Sequence, residues 1–187
     1  MIKNIIFDFG GVLFDIDYFK SEEAFKMLGF EHFEEMYSQY KASTLFADLE
    51  TGKISSEDFL AKLKAAGPDG LSEEDLITAW CAMLLGYRKK SFRFLQDLAA
   101  DYNIYLLSNT NIVHYHFFQP LAQAELPLKS LEQYFTKAWY SHEIGFRKPN
   151  ADVFEFIIAD GKLEPRETLF VEDTEINLPP ARELGIK

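Results

Sequence analysis

The chain has 187 residues, enough for one core domain with a modest insert. Its net charge of −11 argues against nonspecific nucleic-acid binding and against an anionic membrane surface. A lone Cys81 excludes an intrachain disulfide and suits a reducing, cytoplasmic setting, and no apolar stretch approaches the ~20 residues that span a bilayer.

Residues 2–15, IKNIIFDFGGVLFD, open the chain. An apolar run ends in Asp8, and Gly10 and Gly11 follow. Such a run predicts a buried parallel strand, with the glycines allowing a sharp turn close to a ligand. Ligands of open α/β sheets bind at the carboxyl ends of strands, so Asp8 is placed for chemistry. An ordinary strand exit has the same pattern. Asp15 and Asp17 lie just beyond, and each reads as a turn or helix-capping residue.

Residues 16–88 read as helices. Phe19 to Leu28 and Phe33 to Tyr40 carry mixed apolar and charged faces. Ser55-Ser56-Glu57-Asp58 opens another helix, with caps and acids in its first turn. Gly67-Pro68-Asp69-Gly70 is a turn. Ser72 then begins a helix carrying Leu76, Ile77, Trp80, Met83 and Leu84, spaced for a bundle core. Cys81 falls in that apolar pattern and reads as a core thiol. Residues 89–187 alternate strand and helix, as a parallel α/β core does.

Three further strand ends carry polar chemistry. IYLLSNTN, residues 104–111, ends in Ser108, Asn109 and Thr110, whose side chains can bind a phosphate oxygen or cap the next helix. In GFRKPNADVF, residues 145–154, Lys148 precedes Pro149, which suits the first turn of a helix beginning near Asn150. That lysine is either a fixed cation or a solvated surface residue. In TLFVEDTEIN, residues 168–177, a strand ends in Glu172 and Asp173. Adjacent carboxylates suit a magnesium ion, and they also suit a helix cap with a solvated neighbour. His114 and His116 lie two apart, on different sides of a helix, which does not favour a metal pair; His32 and His142 stand alone. Pro179-Pro180 fits the first turn of a helix starting near Asn177.

With Asp8, Ser108, Lys148 and Glu172-Asp173 in this order, the sequence resembles the haloacid-dehalogenase-like (HAD) phosphohydrolases from residue 2 to its end. The resemblance implies a three-layer, Rossmann-like parallel-sheet core (residues 1–15 and 89–187) with an inserted helical cap (residues 16–88). It implies that Asp8 is the nucleophile and forms an aspartyl-phosphate, and that Ser108, Asn109 and Lys148 bind the phosphate. Asp8, the Gly10 carbonyl, Glu172 and Asp173 would hold magnesium. The strings LLSNTN and GFRKP resemble the branch containing bacterial sugar-phosphate phosphatases, such as those for glucose 1-phosphate. The substrate expected is a small phosphorylated metabolite.

One position departs from the pattern. Phosphatases of this family usually carry a second Asp where this chain has Gly10. That carboxylate protonates the leaving oxygen, a contribution of about 100- to 10,000-fold. Asp15 and Asp17 are the nearest replacements by sequence. A metal-free haloacid dehalogenase is one alternative, against which the pair Glu172-Asp173 argues. A phosphate-binding or regulatory protein without turnover is the other, supported by Gly10 alone. The chain stops at the start of a strand, where family members usually continue with one more strand and often a helix, so a truncated or genuinely short chain is expected.

Overall fold

The computed structural model of the protein describes residues 1–30, 33 and 44–187. Most of the expected Phe33–Tyr40 helix, and His32, lie outside the described residues. The strands are β1 (Asn4–Phe7), β2 (Phe14–Ile16), β3 (Leu84–Tyr87), β4 (Asn103–Ser108), β5 (Lys137–Tyr140) and β6 (Thr168–Val171). The α-helices are α1 (Tyr18–Met27), α2 (Thr44–Glu50), α3 (Ser56–Ala66), α4 (Glu73–Cys81), α5 (Lys89–Leu98), α6 (Ile112–Glu125), α7 (Ser141–Ile144), α8 (Ala151–Gly161) and α9 (Leu178–Glu183). None of them is long and apolar enough to cross a membrane.

Four strands form one parallel sheet in the order β5-β4-β1-β6. Its strands read as near-continuous apolar runs because both faces are covered. Ile5, Phe7, Ile104 and Leu106 point into one core, and Ile6, Tyr105, Leu107 and Phe170 into the other. The chain fills the β4–β5 side of β1 first and then crosses to β6. The topological switch therefore lies at the end of β1, where doubly wound sheets hold their ligands. Lys187 pairs its backbone with Thr168 and Phe170 along the outer edge of β6.

The helices between β2 and β3 bury aromatic rings against one another. Phe25 stacks on Phe33 at 4.0 Å and Phe46 on Trp80 at 4.9 Å. Trp80 in turn stacks on His114 of α6 at 4.8 Å, which joins this layer to the sheet domain. Much of the chain's phenylalanine is spent here, where large rings supply burial that short helices could not otherwise gather. Ser55 caps α3, and Ser72 caps α4 in a reciprocal box with Asp75, as the sequence predicts.

The structure departs from the sequence reading at the end of α4. That helix stops at Cys81, and Leu84 begins β3, which pairs antiparallel with β2. Ile77 is 37% exposed and does not belong to the core. The two chain segments that enter and leave the helical layer thus zip together as a two-stranded ribbon. Pro149 lies just ahead of α8, with Asn150 in the N-cap position and Ala151 first in the helix.

Candidate active site

Asp8 leaves β1 with its N–H bonded to the Val171 carbonyl of β6, so the two strand ends are locked side by side. Lys148 arrives from the loop after α7. Its Nζ is 2.6 Å from Asp8 Oδ1 and 2.7 Å from Glu172 Oε2, and the residue is only 1% exposed. The ring of Phe170 lies 5.4 Å from the same nitrogen. Burial alone would lower the pKa of this ammonium. The two carboxylates outweigh that, and the Lys148 pKa is raised. Burial pushes Asp8 upward against the pull of Lys148, with Glu172 pushing the same way. Glu172 also resists burial and ends below its usual range, because Lys148 and the Thr174 N–H bond its charged form.

Lys148 is itself held in place. Asn109 Nδ2 donates to the Lys148 carbonyl and Asn109 Oδ1 accepts from its N–H, both at 2.9 Å. Asn109 shares the pocket; its oxygen and one of its two amide N–H groups position the lysine. The helix after β4 is capped by Asn111, which accepts from the His114 N–H; capping is therefore not the task of the buried Ser108. Ser141 Oγ bonds both the N–H and the carbonyl of Thr110 and steadies the same strand end.

Oxygen atoms of Asp8, Glu172 and Asp173 lie within 4.8 Å of one another, close enough to ligate a single cation. Burial, and then the neighbouring Glu172, raise the pKa of Asp173. This donor set of hard oxygens fits magnesium. A second observation supports the fit. Gly11 has φ +74°, and a Cβ there would lie 1.9 Å from Asp173 Oδ2. The carboxylate thus packs directly on bare backbone. Gly10 is different: its φ is not left-handed, and a Cβ would meet only the tip of the Ile16 side chain, at 2.5 Å. The turn needs glycine at 11, whereas the missing carboxylate belongs to 10.

The nearby acids do not replace it. Asp15 pairs with Arg88 Nε at 2.6 Å and Asp17 caps α1; neither lines the pocket. Arg88 also donates to the Gly11 carbonyl and, through its backbone, to Leu13, stapling the glycine turn to the β2–β3 ribbon.

Asp8, Gly10, Ser108, Asn109, Lys148 and Asp173 open onto one cavity of about 600 Å³. The helical layer between β2 and β3 lines the same cavity with Ala47, Glu50, Thr51, Lys53 and Trp80. His114 lies in the wall as well. Its buried ring meets the Trp80 carbonyl at 3.1 Å through Nε2, and burial pushes its pKa down to about 4. A carbonyl accepts, so Nε2 carries the proton. His116 is exposed, and neither it nor His142 lines the pocket. Cys81 is a buried core thiol, pushed up to about 12.

Sequence reasoning missed the wall residues Glu50 and Arg147. Glu50 had no local signal, while Arg147 stood in full view beside Lys148 in the string GFRKP. Glu50, at the end of α2, and Arg147 meet at 3.1 Å across the pocket, with side chains 17% and 22% exposed.

A family model for haloacid dehalogenase-like hydrolases matches residues 2–185. The chain belongs to that family. A D-ribitol-5-phosphate phosphatase from Bacteroides thetaiotaomicron is 36% identical over all of this chain and 90% of its own length. A HAD-family enzyme of the same organism, solved as a variant with magnesium and inorganic phosphate, superposes with a TM-score of 0.92 at 31% identity, covering 100% of this chain and 92% of that one. A HAD-like hydrolase from Porphyromonas gingivalis matches with a TM-score of 0.89 and 35% identity over 100% and 89% of the two chains.

Proposed function

We propose that this HAD hydrolase is a magnesium-dependent phosphatase of small polyol or sugar phosphates, working through Asp8 in the cytoplasm. One observation carries the reading: a fully buried Lys148 ammonium is shared by Asp8 and Glu172, beside a third carboxylate near enough to share an ion with them. The polyhydroxylated substrate class rests on the ribitol-phosphate relative.

Asp8, the Gly10 carbonyl and Asp173 would hold the magnesium, with Glu172 adjacent. When bound, the ion offsets the repulsion between an anionic nucleophile and an anionic phosphate. The chain's own groups do the rest. An Asp8 carboxylate oxygen attacks phosphorus, and the ester P–O bond breaks, leaving an aspartyl-phosphate and the substrate's alkoxide. Lys148 gives two N–H groups to Asp8 and Glu172, which leaves the third for a phosphoryl oxygen. Ser108 offers its hydroxyl from the end of β4, and Asn109 acts through the Lys148 backbone. Water then attacks phosphorus, releasing phosphate and restoring Asp8. The leaving alkoxide takes a proton from solvent water and the attacking water returns one to solvent, without help from Asp15 or Asp17, both of which are engaged elsewhere.

Residues 1–15 and 89–187 serve as the catalytic core, and residues 16–88 as a cap that selects the substrate and excludes water. Support comes from the insert residues that line the same cavity as Asp8.

The test is phosphate release from a panel of polyol, sugar and aryl phosphates, with magnesium and after chelation. Release should require magnesium and fall by at least about 10,000-fold in Asp8→Asn, as nucleophile removal does. Beryllofluoride should bind the wild type and not the variant. A wild-type protein that binds phosphate esters but never turns them over would make this a regulatory member of the fold.

A further inference from the structure

The cavity contains a second charged pair that the chemistry above does not use. Glu50 comes from the insert, and Arg147 from the core loop immediately before Lys148. Their charges meet at 3.1 Å, but not in hydrogen-bond geometry. Among the described residues, Glu50 Oε2 and Arg147 Nε are buried with no hydrogen-bond partner. Buried polar groups are nearly always satisfied, so an exception at a cavity wall calls for a physical reason. Here one orphan is an acceptor and the other a donor. An alcohol both donates and accepts, and the two side chains line the cavity with 17% and 22% of their surface exposed, so one hydroxyl, or two neighbouring ones, can donate to Glu50 and accept from Arg147 at their open atoms. A second phosphate or a carboxylate would satisfy Arg147 and be repelled by Glu50. An apolar tail would satisfy neither.

The placement suits such a role. Arg147 is anchored next to Lys148, whose backbone Asn109 clamps, so its distance from the phosphate site is fixed. The carboxylates Asp8 and Glu50 both act on the Tyr18 phenol, which places them around one part of the cavity. Burial, resisted by Arg147 and Lys148, raises the Glu50 pKa, as a carboxylate with too few donors should show.

We infer that Glu50 and Arg147 form the specificity-determining pair that reads hydroxyl groups on the uncharged tail of the phosphate ester. The inference rests on the phosphatase reading and names the residues that would choose its substrate. It predicts a preference for esters carrying an uncharged, hydroxylated chain, with discrimination against diphosphorylated or carboxylated ones.

The experiment compares kcat/KM for D-ribitol 5-phosphate and for p-nitrophenyl phosphate, which has no hydroxylated tail, in wild type, Glu50→Gln and Arg147→Gln. Hydrogen bonds to charged groups are worth enough to lower the ratio of the two about 10- to 100-fold in either variant. Most of the change should lie in KM for the polyol ester. Arg147→Lys, which keeps the charge without the Nε donor, should fall between wild type and Arg147→Gln. Equal proportional losses on both substrates would make the pair a structural strut and overturn the inference while leaving the phosphatase reading intact. An unchanged ratio with full activity overturns it as well. A wild type that cleaves the aryl ester but no polyol or sugar phosphate removes the substrate reading itself, and the inference with it. Residual aryl phosphatase activity in each variant reports that it has folded.

Discussion

Two ionic arrangements, one buried and one half-buried, lie at one cavity, and they are built on opposite principles. Around Lys148 each charge has a hydrogen-bonded partner: 2.6 Å to Asp8, 2.7 Å to Glu172, with the backbone clamped by Asn109. Around Glu50 and Arg147 the charges pair at 3.1 Å but leave a donor and an acceptor open. The first comes entirely from the sheet domain, the second from one residue on each side of the insert boundary. On the proposed reading, the difference separates chemistry from choice. Groups that stabilise a transferring phosphoryl must be organised before the substrate arrives. Groups that recognise a substrate need capacity held in reserve for it.

The comparison breaks most visibly at Lys148. Lys148→Met leaves Asp8 and Glu172 buried without their cation. Removing one partner of a buried ion pair costs about 3–5 kcal/mol, so the metal-free protein should lose that much in chemical denaturation. Added magnesium should restore part of it. Arg147→Gln, at the open pair, should lose far less. Equal losses at the two sites would mean that the Glu50 pair is as well satisfied as the Lys148 cluster.

The wall that joins the two sides supplies a pH test. His114 is buried and neutral, with its pKa pushed down to about 4, whereas an unfolded histidine titrates near 6.5. Between those values the unfolded chain binds more protons than the folded one, so the contribution is intact above about pH 6.5 and is lost as pH falls toward 4. The loss reaches about 3 kcal/mol by pH 4. His114→Gln keeps a donor for the Trp80 carbonyl and has no such titration. The stability difference between wild type and variant, measured across this window, should therefore shift steadily against the wild type. A difference that stays constant from pH 7 to pH 4 would mean the imidazole is solvated.

The two glycines of the β1 turn sharpen the picture further. Gly11→Ala places a Cβ on the Asp173 carboxylate at a left-handed φ, and should cost at least about 1–2 kcal/mol together with weaker magnesium dependence. Gly10→Asp meets only a flexible isoleucine tip, so it should fold. It restores a carboxylate where the family usually has one, and should raise turnover of alkyl phosphates relative to aryl phosphates by about tenfold or more. In the wild type, rates should climb with the acidity of the leaving alcohol. A flat dependence, with chemistry shown to be the slow step, would mean that another group in the cavity already donates the proton.

The carboxylate–lysine cluster was legible because its parts are local. Each of Asp8, Ser108 and the pair Glu172-Asp173 follows an apolar run, and strand ends in a parallel sheet converge whatever the loops between them do. Lys148 was legible from its motif, and the caps at Ser55 and Ser72 from the side-chain chemistry of a single turn. The role of Gly10 was half legible: the missing acid shows in the sequence, while the demand for a left-handed backbone falls on Gly11, because Asp173 packs there from a strand more than 150 residues away.

What the sequence by itself determined is the parallel α/β core, the order of its polar strand ends and the family chemistry they imply. These follow from hydrophobic periodicity and short motifs, which act over a few residues. Only the tertiary structure decided that Leu84 begins a strand paired with β2, that Asn109 serves Lys148, that Arg88 takes up Asp15, and that Glu50 faces Arg147. Each of those contacts joins residues 35 or more positions apart, where side-chain geometry, set by packing against the rest of the fold, chooses the partner.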